Sequence, residues 1–191
     1  MDGMPSRVVL TLPRWVAGVV RRHPPCRTDE ERMRLAIALA RENVVRGTGG
    51  PFGAAVFERD GERPVAVGVN QVEPLGNPAA HAEVLALVLA TARLGSYTLH
   101  LPELPTHDLF TSCDPCAMCL GAALWGGVGR IVCGAGRADA LALGFEEGPV
   151  FPESHRYLAA RGIAVVEGML ADEARVVLQL YRDHQGPLYN G

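Results

Sequence analysis

The chain has 191 residues, 48% of them hydrophobic and 20% charged, with a formal net charge of −3. That suits a single globular domain with a real core, and it argues against a disordered chain or a strongly basic protein that grips a nucleic-acid backbone. No apolar run is long enough to span a membrane. Five cysteines, three of them clustered, fit a reducing compartment better than a disulfide framework, so the expected setting is cytoplasmic, with neither membrane nor nucleic acid as partner.

Residues 1–27 form an N-terminal arm. Residues 8–12 read as a short strand or an extended stretch, residues 15–20 as helical, and His23-Pro24-Pro25 as a break. Cys26 has no motif around it and reads as an idle thiol. Thr28 opens a helix, with Glu31 completing a capping box. Met33, Ile37, Ala40 and Val44 recur at helical spacing along it, and Gly47 ends it. Residues 52–58 and 64–70 read as strands joined through Arg59-Asp60-Gly61-Glu62, where Asp-Gly signals a hairpin. Asn70, at the second strand's end, is either a turn residue bonding its own backbone or a substrate contact.

A helix then runs to Leu94, with His81 at or just before its first turn. A strand over residues 108–111 leads to Cys113. Asp114 reads as a helix N-cap and Pro115 as the first helical residue, which puts Cys116 in the first turn and Cys119 three residues on, on the same face. Gly126-Gly127 stop that helix. Residues 130–133 read as a strand and 137–143 as a short helix. Residues 144–149 form a loop whose paired acids, Glu146 and Glu147, look like solvated surface. A helix over 154–161, a strand over 163–166, a helix over 172–183 and a tail close the chain. His23, His100, His107, His155 and His184 stand alone and read as structural or surface residues. Strands and helices alternate after the hairpin, so the fold class is α/β: one mixed central sheet flanked by helices, in three layers.

Chemistry concentrates in two stretches, Ala80-His81-Ala82-Glu83 and Ser112-Cys113-Asp114-Pro115-Cys116-Ala117-Met118-Cys119. One imidazole and two thiolates leave a zinc's fourth position open, and the remaining carboxylate can move protons between water and substrate. A structural zinc with Cys113 as fourth ligand is the competing assignment. It leaves the spacing of Glu83 unexplained.

His-x-Glu followed by Pro-Cys-x-x-Cys is the signature of zinc-dependent nucleobase deaminases. The chain resembles the cytidine/deoxycytidylate deaminase superfamily. Within it, it is similar to the bacterial guanine deaminases, including the Nitrosomonas type that also acts on ammeline. The similarity runs from about Met33 and includes Gly49-Gly50-Pro51-Phe52, Val56-Phe57-Glu58-Arg59-Asp60, Ala79-Ala80-His81-Ala82-Glu83, Pro115-Cys116-Ala117-Met118-Cys119, Gly144-Phe145-Glu146-Glu147-Gly148-Pro149 and the ending Tyr189-Asn190. The resemblance implies a cytidine-deaminase-like fold over residues 28–191, with the C-terminal tail over the active site. It also implies Zn2+ held by His81, Cys116 and Cys119. Glu83 would be the main proton shuttle and Glu147 a second acid near the leaving amine. Asn70, Phe52, Ala82 and Tyr189 would contact the base. Cys113 departs from the family, whose members carry a small residue there. The implied reaction is hydrolysis of guanine to xanthine and ammonia by a homodimer. Deamination of cytosine, cytidine, a pterin or an aminotriazine is the alternative, and of a tRNA adenosine the more distant one.

Overall fold

The computed structural model describes residues 5–189. The tail residues Asn190 and Gly191 lie outside that range, as does the start of the N-terminal arm. Five strands make one sheet in the order β2-β1-β3-β4-β5: β1 (Gly53–Glu58), β2 (Pro64–Val69), β3 (His107–Cys113), β4 (Arg130–Ala135) and β5 (Ala164–Val166). The hairpin β1–β2 and the pair β1–β3 are antiparallel, whereas β3–β4 and β4–β5 are parallel.

Helices cover both faces. On one side α1 (Trp15–Arg22), α2 (Asp29–Val45), α6 (Arg137–Leu143) and α8 (Ala171–Asp183) pack around Phe57, Phe110 and Val132. On the other, α4 (Ala82–Leu94), α5 (Ala117–Gly126) and α7 (Pro152–Ala160) pack around Val56, Leu109 and Ile131. The alternation along β3 explains this split, since Leu109 and Phe110 point to opposite faces. Close approach of α4 to the sheet requires Gly68: a Cβ there would stand 2.0 Å from the Ala82 carbonyl oxygen.

Thr28 caps α2 as its sequence indicates, its hydroxyl accepting from Glu31 N while the Glu31 carboxylate accepts from Thr28 N. Residues 8–12 carry no strand, and Val16 of α1 is buried in the core with α2. A one-turn helix, α3 (Val72–Leu75), stands where sequence reading had only a loop.

The Cys helix begins two residues later than expected. Cys116 is its N-cap, with extended backbone (φ −66, ψ 171), and Ala117 is the first helical residue. Asp114 does not cap it because its carboxylate is taken elsewhere, accepting from Arg137 N at the start of α6. Of the two settings expected for the lone histidines, structural or surface, His107 takes the first; it is fully buried in β3.

The ends of β2, β3 and β4 and the start of β1 meet at one edge of the sheet, as the pairings Gly53↔Val69, Ala54↔Thr111 and Cys113↔Ala135 require. In parallel-type sheets, the carboxyl ends of strands are where ligands bind.

Candidate active site

Two helix N-termini converge at that edge. His81 is the N-cap of α4 and Cys116 the N-cap of α5. His81 Nδ1 stands 3.6 Å from both Cys116 Sγ and Cys119 Sγ, and the three donor atoms lie within 4.8 Å of one another. A nitrogen and a sulfur sharing one tetrahedral zinc at ordinary bond lengths are about 3.5 Å apart. Donor set and spacing therefore fit a zinc with one open position. Without a metal, a hydrogen bond from Cys119 holds the Cys116 thiol down at about 4. The same bond and burial push the Cys119 thiol up, so the pair shares one proton. Cys113 stands apart from this group, its thiol turned toward the Gly136 carbonyl.

Glu83, in the first turn of α4, is buried beside the cluster with Oε2 3.5 Å from Cys119 Sγ. Thr111 of β3 donates to its Oε1 at 2.9 Å. Burial raises its pKa, the Cys116 charge adds to that, and the Thr111 hydrogen bond opposes it.

Glu146 and Glu147 do not share the solvated surface expected for them. Glu146 is exposed, whereas Glu147 is only 7% exposed. Ala117 N at the start of α5 donates to the Glu147 carbonyl at 3.0 Å, which turns this loop inward. Burial, then the charges of Cys116 and Glu83, raise the Glu147 carboxyl to about 8. Burial raises both carboxyls, and two such acids flanking a metal cluster are suited to taking up and releasing protons.

The remaining candidates surround this group. Asn70 fits the turn reading with one side-chain atom and leaves the other unpaired. Its Oδ1 accepts from Val72 N at 3.2 Å, a bond to its own backbone two residues on, while its buried Nδ2 has no protein partner. Asn70 N also donates to the Phe52 carbonyl, and Gln71 N to the Ala80 carbonyl, which joins the Phe52 and His81 segments. Ala82 is the first residue of α4, so its N–H has no intrahelical acceptor. Phe52 meets Phe145 edge-on with centroids 5.1 Å apart, and Phe145 meets Tyr189 at 5.1 Å. The tail is held by Tyr181, whose hydroxyl donates to the Pro187 carbonyl at 2.6 Å, and its Tyr189 lies over Gly50.

Sequence reasoning missed Thr111, Phe145 and Asn43. A hydroxyl near the end of the strand that leads into the cysteine stretch was the signal for Thr111. For Asn43 it was an amide beside the apolar stripe of α2.

Residues 26–135 match the family described as the cytidine and deoxycytidylate deaminase zinc-binding region. The chain belongs to this family. It is 36% identical to a guanine deaminase of Bacillus subtilis over 143 residues, 75% of this chain and 87% of that one. It also superposes on a guanine deaminase from Nitrosomonas europaea with a TM-score of 0.88 at 40% identity, covering 94% of this chain and 98% of the other. A structure of NE0047 in complex with 2,6-diaminopurine gives a TM-score of 0.90 at 41% identity, with 98% of each chain covered. The three-layer α/β/α arrangement is thus shared across almost the full length.

Proposed function

We propose that the protein is a zinc-dependent guanine deaminase, an aminohydrolase that converts guanine and water to xanthine and ammonia. The observation that carries the chemistry is the grouping of His81, Cys116 and Cys119 with Glu83 buried at their side. The choice of guanine rests on near-full-length similarity to guanine deaminases and on a second buried acid, Glu147.

In this reading His81, Cys116 and Cys119 are the ligands. A bound zinc supplies the acidity that lets a water attack at neutral pH. Glu83 takes up the proton given up by the attacking water, and Thr111 favours the ionised form that can do so. Attack falls on the amino-bearing carbon, C2 in guanine. Glu83 returns its proton to the ring nitrogen, then takes the proton of the new C2 hydroxyl as the C2=O bond forms and the C–N bond breaks. The departing amine takes a proton from Glu83, or from Glu147 with the hydroxyl's proton replacing it, and leaves as ammonia. Phe52 faces the ring, the Asn70 amide and the Ala82 N–H hold its polar edge, and Tyr189 closes the tail over it.

The enzyme acts as a cytoplasmic homodimer. Support for self-association comes from α5, which carries no charged side chain and, besides the Cys119 thiol and the Trp125 indole N–H, no hydrogen-bonding one. Met118 and Trp125 lie exposed on it, Trp125 to 81%, and a Cβ at Gly121 would meet open space. A helix apolar on every side belongs in a buried setting, and a second copy of the chain would provide it.

The test is ammonia release by zinc-loaded protein from guanine, guanosine, adenine, cytosine, cytidine, ammeline and a pterin at one concentration. Dominant turnover of guanine is expected. Turnover confined to another ring would overturn the guanine reading and retain the deaminase.

A further inference from the structure

We infer that the N-terminal helix α1 takes part in positioning the substrate: Trp15, acting through Thr48 and Asn43, fixes the main chain at Asn70, from which its side-chain amide projects. The inference rests on the proposed contact between Asn70 and the base.

The connection is a continuous series of hydrogen bonds. Trp15 Nε1 donates to Thr48 Oγ1 at 3.1 Å, and Thr48 Oγ1 donates to Asn43 Oδ1 at 2.8 Å. Asn43 Nδ2 then donates to two carbonyls, of Gly50 and of Asn70, each at 2.9 Å. Gln71 Nε2 reinforces the same point, donating to the Thr48 carbonyl at 2.6 Å and to the Asn70 carbonyl at 2.8 Å. Asn43 is fully buried in α2.

Direction along this series is forced. An indole N–H can only donate, so it occupies an acceptor site on Thr48 and leaves the hydroxyl proton for Asn43. The carbonyls of Gly50 and Asn70 can only accept, so Asn43 turns its NH2 to them and its oxygen to Thr48, whose hydroxyl proton it takes. The opposite orientation would set a carbonyl oxygen against two others. Asn70, anchored through its main-chain oxygen, accepts the Val72 N–H on Oδ1. Its unpartnered Nδ2 is then what remains for a ligand. Such an amide offers donors, so it suits a ring edge that carries acceptors, as guanine does.

Two further features fit a device built for placement. Arg46 lies 5.5 Å over the Trp15 ring, which holds the indole in place from the far side. Gly49 lies where a Cβ would stand 2.1 Å from the Asn70 carbonyl oxygen, so the glycine lets this loop close against Asn70. Asn43 also holds Gly50, the residue under Tyr189.

Thr48→Val keeps the shape of the side chain and removes the relay, and Trp15→Phe keeps a ring and removes its N–H. Each is made in the wild-type chain and in Asn70→Ala, with zinc content measured throughout. Thr48→Val is expected to raise KM for guanine about five- to tenfold, the loss of one part-buried hydrogen bond, with kcat within about twofold of wild type. Trp15→Phe should move KM the same way by a smaller factor. In the Asn70→Ala background neither substitution should change KM further, because the residue through which they act is gone. For variants too slow for steady-state work, the dissociation constant of the product xanthine is read instead. Unchanged KM in Thr48→Val, or equal effects in both backgrounds, would overturn the inference and leave the network a matter of stability alone. A wild-type protein inert on guanine would overturn the functional reading first, a distinct result, and this inference with it.

Discussion

Thr111 donates its hydroxyl proton to the Glu83 carboxylate at 2.9 Å, joining the central strand β3 to the first turn of α4. The burial of Glu83 and its loss of hydration favour its neutral form. The Thr111 hydroxyl counters them with a hydrogen bond to the charged form, and it fixes the carboxylate's direction. Thr111→Val should therefore lower kcat for guanine by about tenfold or more, in line with losing a hydrogen bond to a charged group, with zinc retained. Glu83→Gln should remove turnover altogether at full zinc content. Metal analysis beside steady-state rates tests both, and substantial turnover by Glu83→Gln would falsify its assignment as proton shuttle.

Glu147 offers a second test. Its carboxyl is raised to about 8 by burial and by the neighbouring negative charges, which suits a group that donates a proton to a departing amine. Glu147→Gln preserves shape and hydrogen bonding but cannot exchange a proton. A drop in kcat of about 10²-fold is expected, with a much smaller change in KM. A near-normal kcat would reduce this loop to a wall of the pocket.

Much of this architecture could be read from the chain because its signals are local. Thr28 and Glu31 are three residues apart, and they form the capping box their spacing indicates. His81 ends up as the N-cap of α4 because His81 and Glu83, two apart, cannot share a face of a regular helix. The misreadings have distant causes. Asp114 has the right character to cap α5, but β4 leads into α6 close by, and the amide of Arg137 takes its carboxylate instead. Glu146 and Glu147 look alike in sequence. The bond from Ala117, thirty residues earlier, and those from Arg137 to the Gly148 and Val150 carbonyls hold the loop that turns one of them inward. Trp15, Thr48 and Asn43 are spread over three segments, and no periodicity connects them.

The tail depends on a missing side chain. A Cβ at Gly50 would stand 1.6 Å from the Tyr189 hydroxyl oxygen, so Gly50→Ala must displace Tyr189. Since Tyr189 packs on Phe145, and Phe145 on Phe52, the displacement should loosen the aromatic wall of the site. KM for guanine should rise by about tenfold, with little change in melting temperature. Cleavage of residues near 186 by a nonspecific protease should also become faster. Unchanged KM would separate the tail from substrate binding.

Glu31 predicts a pH dependence of stability. The amides of Arg27 and Thr28 donate to its carboxylate and lower its pKa in the folded state. The stabilisation is therefore complete above the unfolded value of about 4.3 and is lost as pH falls through the lower folded value. Glu31→Gln should be less stable than wild type at neutral pH, and the two should converge in strongly acidic solution. Urea midpoints measured across pH 3 to 7 test this; a constant difference would mean that the cap does not depend on the charge.

The edge of the sheet opposite the active site is held by charge. Asp108 of β3 is fully buried and accepts from Arg59 at 2.8 Å and from Arg130 at 2.9 Å. Arg130 reaches on to Asp29 at the start of α2, at 2.6 Å, and its guanidinium lies 5.7 Å from the Phe110 ring centre. Removing Asp108 would leave Arg59 and Arg130 without their shared acid, with Asp29 still paired to Arg130. Breaking a buried pair from one side costs about 3 kcal/mol or more, which for a chain of this length is a fall in melting temperature of about 6–12 °C. Because β3 runs from this network to the catalytic edge, Asp108→Ala also asks whether strain travels along the strand. The packing of Leu109 and Phe110 on opposite faces of the sheet should hold the far end in register. The variant should therefore melt early yet keep wild-type kcat and KM at 20 °C. Altered kinetics in the folded variant would mean that the ionic network also sets the geometry of Thr111 and Glu83.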